Sequence, residues 1–154
     1  MNNFSNVPEN SRLDFLPALL GTQFHIYTHY ENRMYDVADE CLKGYNGGYW
    51  YFAKLENTYG LKELGFMYPE TDSEKVVLKG PYEDLEMGPL AAGVSMTIMV
   101  LNRLCWSFYN KGEAGEEVAE HCNELINALR HWAFSDEDSV FSAEDKTAIF
   151  KFTD

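Results

Sequence analysis

Residues 88–109 pass through Leu90, Ala91, Ala92, Val94, Met96, Ile98, Met99, Val100 and Leu101 before the first charge, Arg103. Pro89 stands near the start, where its fixed φ and missing N–H suit the first turn of a helix. A helix apolar on nearly every side has to be surrounded by the rest of its domain, so this stretch predicts a buried central helix. Its uncharged part, 89–102, is shorter than the roughly 20 residues that cross a bilayer.

The flanking pattern is amphipathic. Residues 1–11 are polar and carry Pro8. They predict a loosely held tail, with one domain over 12–154. Asp14, the apolar run behind it and Gly21 predict a short helix whose apolar side packs on the core. Residues 23–27 read as extended or turn. Thr28 with Glu31 three residues on forms a capping-box pattern. In the helix it would start, Met34, Val37, Ala38, Cys41 and Leu42 share one face, and Gly44 ends it. Asn46, Gly47 and Gly48 signal a tight turn, and the aromatic run Tyr49, Trp50, Tyr51 and Phe52 after it has high strand preference. With 65–68 and 75–79 this gives three short strands, expected as an antiparallel meander lying on the central helix and stopped at Gly80 and Pro81. A polar hinge at 110–115 precedes a long helix over 116–134, with Val118, Cys122, Leu125, Leu129 and Trp132 inward. Ser142 with Asp145 predicts a cap for a short terminal helix. The expected fold class is α+β: a small three-stranded antiparallel sheet packed by four to five helices around the central one.

A chain of 154 residues, 45% hydrophobic, can build such a core without disulfides or metal. The net charge of −13 argues against nucleic acid or an anionic membrane surface as partner, and permits a basic protein surface. Cys41, Cys105 and Cys122 are odd in number and set in apolar surroundings, as reduced thiols are. The N-terminal residues show neither a basic nor an apolar signal region, so a cytoplasmic location is expected.

Five segments in register carry a family resemblance: Arg12-Leu13-Asp14-Phe15-Leu16-Pro17 with Gly21; Tyr45-Asn46-Gly47-Gly48-Tyr49-Trp50-Tyr51-Phe52 with Leu55; Gly65-Phe66-Met67-Tyr68-Pro69; Ala91-Ala92-Gly93; and Leu101-Asn102-Arg103-Leu104. In this order and spacing they resemble the ArdB/KlcA antirestriction family of plasmids and other mobile elements, over roughly residues 12–152. Departures fall on loops and helix ends: Gly88-Pro89-Leu90 replaces the usual Ser-Ala-Asp lead-in, and 57–64 and 135–143 look extended. The resemblance implies an α+β domain and a protein that relieves type I restriction of unmodified DNA. It brings no catalytic residues and no cofactor with it.

The remaining constellations favour structural readings. His25 and His29 are four apart, yet no Glu follows the first and no third ligand is in sight, so no metal site is expected. Cys122 falls on the inward stripe while His121 points elsewhere, which does not make a nucleophile and base. Asn46-Gly47-Gly48 lacks the ending of a phosphate-binding loop. The aromatic run resembles a base-stacking platform but lacks a basic groove. Residues 112–154 hold eleven acids against three bases, −8 of the total −13. Glu113, Glu116, Glu117, Glu120 and Glu124 recur there at helical spacing.

The resemblance thus implies a non-enzymatic protein that acts by contact with a type I restriction-modification system or a factor controlling it. Two surfaces are candidates. One is the turn bearing Tyr45, Asn46, Gly47, Gly48 and Trp50. The other is an acidic surface of Glu116, Glu120, Glu124 and Asp154, which would act as a DNA mimic in the groove of a restriction enzyme. Neither surface implies direct nucleic-acid binding.

Overall fold

The uncharged stretch folds as the central helix. The computed structural model describes residues 3–136 and 139–154. In chain order it contains β1 (Phe4–Asn6), α1 (Arg12–Leu20), α2 (Ile26–Cys41), β2 (Trp50–Leu55), β3 (Gly65–Pro69), β4 (Val76–Lys79), β5 (Asp84–Met87), α3 (Pro89–Tyr109), α4 (Gly112–Ala133) and α5 (Ala143–Thr153). The architecture is α+β, with two small antiparallel sheets ordered β1-β2-β3 and β4-β5.

Pro89 is the first residue of α3, and Ala91 to Ile98 are all buried. Beyond Leu101 the helix becomes amphipathic: Leu104 and Phe108 stay inside while Trp106 is 73% exposed. By length and composition Pro89–Phe108 could cross a membrane, a point the count of uncharged residues missed, but most of its apolar window is covered by the rest of the fold. α3 packs against α2, α4, α5 and β3.

The contact with β3 is close. β3 is an edge strand, and its outer backbone groups would lie open without a neighbour. Thr97 Oγ1 accepts a hydrogen bond from the Met67 N–H at 3.2 Å, and its hydroxyl lies 3.5 Å from the Met67 carbonyl. One turn earlier, a Cβ on Gly93 would stand 2.3 Å from Tyr68 Cβ and 2.5 Å from the Met67 oxygen, so only glycine allows this approach. The helix closes the sheet edge with one hydroxyl and one missing side chain.

Four expectations need correction. Residues 4–6 do not belong to a loose tail: β1 pairs with β2, Phe4 opposite Leu55. The Phe4 ring packs on Phe66 and Trp132, a gain that polarity averaged over 1–11 conceals. The strand expected at 75–79 does not join β2 and β3. It pairs with β5 through Val76 opposite Met87, and its other edge is taken by the chain leaving α2, where Lys43 N–H donates to the Val77 carbonyl at 3.0 Å. The Thr28 capping box is unused. A 3-10 turn over Gln23–His25 runs into α2, which begins at Ile26, a residue with no exposed surface. Finally, α4 starts at Gly112, inside the expected hinge. The Ser142 cap is present, its hydroxyl accepting from the Asp145 N–H.

α4 presents Cys122 to the interior, with no exposed surface. Burial pushes its thiol pKa up to about 12 from an ordinary 9.0.

Replacing Thr97 with Val is expected to leave the Met67 N–H unsatisfied and to cost about 1–3 kcal/mol, read as a lower urea midpoint. Gly93→Val, which overpacks the same contact, is expected to cost at least as much, and unchanged midpoints would contradict the edge-closure role. The folded chain keeps the Cys122 proton at a pH where the unfolded chain loses it. This stabilisation is complete below about pH 9 and drains as pH rises toward 12. Unfolding measured at pH 8 and about pH 10.5 should show Cys122→Ala losing less stability on alkalinisation than the parent, by about 1–2 kcal/mol.

Candidate functional site

Two of the motif segments, far apart in sequence, meet at one groove. α1 supplies Arg12, Leu13, Leu16 and Pro17, and the entry to β2 supplies Gly48, Tyr49, Trp50 and Phe52. Its volume is about 460 Å³, and α2 closes the third side with Tyr27, Thr28, Glu31 and Tyr35. α1 is held against β2 by Phe15 and Phe52, whose ring centroids are 6.2 Å apart. The chain enters β2 through Gly47 at φ 86° and Gly48 at φ 131°, left-handed conformations that a side chain would disfavour.

Arg12 is the electrostatic centre of this groove. Its guanidinium carbon lies 4.7 Å from the Tyr49 ring centroid and 5.0 Å from that of Phe52. Such cation–π stacking positions a charge without neutralising it. Arg12 makes no ion pair among the described residues, and its Nε is buried without a hydrogen-bond partner. The Tyr49 hydroxyl donates to Glu9, and that hydrogen bond raises the Tyr49 pKa. The Tyr35 hydroxyl donates to Glu31 at 3.1 Å, and burial together with that carboxylate raises Tyr35 to about 12.

At the mouth of the groove Leu13 is 90% exposed and Tyr49 40%. Pro17 has no N–H, so the Leu13 carbonyl lacks its usual partner four residues on. An exposed apolar side chain, tyrosine rings and a stacked guanidinium therefore lie together at this groove.

The turn residues divide between two faces. Trp50 lines the groove, Tyr45, Asn46 and Gly47 line a smaller cavity of about 190 Å³ toward Pro69 and Val76, and Gly48 borders both. The faces are joined by Trp50 Nε1–H, which donates to the Tyr45 hydroxyl at 3.2 Å. Trp50 is only 4% exposed and acts as a wall. The acidic residues lie elsewhere. Glu116, Glu120 and Glu124 are exposed on α4 and enter no ion pair among the described residues. Asp154 follows α5 and borders a different cavity, near Arg130. Glu137 and Asp138, counted in the acidic balance, lie outside the described residues.

The motif reading passed over Arg12, Leu13, Glu31 and Tyr35 as site residues. Arg12 and Leu13 open the first motif, which was the available signal. Nothing in the sequence showed that Leu13 faces outward or that α2 supplies a wall.

The other constellations take structural places. His29 packs edge-on to Phe108, and His25 sits in a left-handed conformation before α2. His121 Nε2–H donates to the Leu19 carbonyl at 2.7 Å, which ties α4 to α1 and occupies that ring nitrogen. His131 stacks edge-on with Tyr59. Among the described residues no group of three or more His, Cys, Asp or Glu is placed to hold a metal.

No family model matches the chain. Two proteins of Escherichia coli are similar to it. One, from strain K12, is named antirestriction protein YubI and is 34% identical over 110 residues, 71% of this chain and 72% of its own length. The other, named antirestriction protein KlcA, is 31% identical over 154 aligned residues, 97% of this chain and 92% of its own length. With that coverage, and with the motif segments folded into one α+β body, the chain belongs to the ArdB/KlcA antirestriction family.

Proposed function

We propose that this chain protects unmodified incoming DNA from type I restriction in the host cytoplasm, without catalysis, by protein contacts made through the Arg12–Tyr49 groove. The observation that supports this reading most is convergence. Segments 12–17 and 45–52 both carry the family likeness and are separated by the whole of α2, and Arg12, Leu13, Leu16 and Pro17 of the first meet Gly48, Tyr49, Trp50 and Phe52 of the second at one groove. The names of the two relatives supply the antirestriction role. The partner is a type I restriction-modification system or a factor controlling it. With a net charge of −13, the chain acts on that protein rather than on DNA or a membrane.

A second reading rests on α4. Glu113, Glu116, Glu117, Glu120 and Glu124 are exposed and free of ion pairs among the described residues. Carboxylates one helical turn apart lie about 5–6 Å from each other, similar to phosphates along DNA, so this face is the DNA-mimic alternative.

Cells carrying a type I system and challenged with unmodified phage distinguish the two. The parent chain is expected to raise plating efficiency, and no rise would reject the function altogether. Leu13→Glu, at a 90% exposed position, should keep the circular dichroism of the parent and lose at least tenfold of the protection. Reversing charge at Glu116, Glu120 and Glu124 together should leave protection intact. The opposite pair of outcomes would move the contact to α4.

A further inference from the structure

On a different face, the β4–β5 hairpin, α3, α4 and the end of α5 surround a cavity of about 450 Å³. Its floor is apolar, made by Ile98, Met99, Ile126 and Phe152. Its rim carries Lys79, Asn102 and Arg130.

The two cations matter because the chain has 25 acidic residues for 12 Lys and Arg. Carboxylates are in excess, yet Lys79 and Arg130, 51 positions apart in sequence, form no ion pair among the described residues and border the same cavity. Asp154 is also on the rim, and neither cation is in ion-pair contact with it. Arg130 is held in place. Its Nη1–H donates to Thr153 Oγ1 at 2.8 Å, Thr153 Oγ1 donates to the Ile149 carbonyl, and the guanidinium carbon lies 5.3 Å from the Phe134 ring centroid. These contacts use one of its five N–H donors, which leaves the guanidinium able to grip an anionic group.

A concave apolar floor with a few fixed polar groups at its edge is the usual anatomy of a small-molecule site. We propose that this cavity binds a small amphipathic monoanion, with its apolar body on Ile98, Met99, Ile126 and Phe152 and its acidic group between Lys79 and Arg130. The site is independent of the Arg12–Tyr49 groove and does not rest on the antirestriction reading.

The probe is 8-anilinonaphthalene-1-sulfonate, which joins an aromatic body to one sulfonate. Titrated into the folded full chain, it should show saturable, blue-shifted fluorescence at one site. Octanoate should displace it, and octanol at the same concentration should not. Lys79→Gln alters an exposed side chain and should weaken binding severalfold, and the Lys79→Gln/Arg130→Gln pair at least tenfold, with circular dichroism unchanged. Amide NMR shifts on adding octanoate should centre on Met99, Asn102 and Thr153. Absence of saturable binding, equal displacement by octanol, or the same affinity in Lys79→Gln and in the double variant as in the parent would overturn the proposal.

Discussion

The structure depends on how closely α3 approaches the outer edge of β3. An edge strand presents unpaired backbone groups, and burying them against a helix is unfavourable unless something on the helix meets them. Thr97 supplies the hydrogen-bonding atom and Gly93 supplies the space. With that edge closed, α3 can be covered by α2 on one side and by α4 and α5 on others. A three-stranded sheet with short strands would be marginal alone, and here it is one wall of a core that contains Phe66, Met67, Met96 and Leu101.

The groove follows from that arrangement. β2 is central, paired with β1 on one edge and β3 on the other, and its N-terminal end emerges beside α1. Tyr49 and Phe52 face Arg12 there, and α2 brings Glu31 and Tyr35 to the third wall. The positive charge stays in place because aromatic faces hold it, a notable device in a chain whose charge is −13. The same core isolates Cys122 and Tyr30, whose pKa values are both raised by burial.

The site was partly legible in the sequence. Gly47, Gly48 and the aromatic run were recognisable as a turn entering a strand, and Gly48 with Tyr49, Trp50 and Phe52 lines one wall of the groove. The opposite wall was present as a motif but carried no sign of its direction. In α1 Phe15, Leu16, Leu19 and Leu20 are buried while Leu13 is exposed, and hydrophobicity alone ranks Leu13 with the others. The acidic stripe on α4 was read correctly as exposed, since carboxylates spaced by a helical turn opposite an apolar face have nowhere else to go.

What the sequence by itself determined was local: the helical stretches, the aromatic strand, the proline start of α3 and the Ser142 cap, because periodicity and capping act within a few residues. Tertiary structure decided which strands pair. Residues 75–79 have strand character in either sheet, and their partner was settled by the hairpin to Asp84–Met87 and by the Lys43 N–H that takes the other edge. It also drew residues 4–6 into the sheet, since Phe4 gains a place between Phe66 and Trp132 that exists only when strand and helix have met. Long-range pairing depends on what surface another segment offers, and that information is distributed over the whole chain rather than written at any one position.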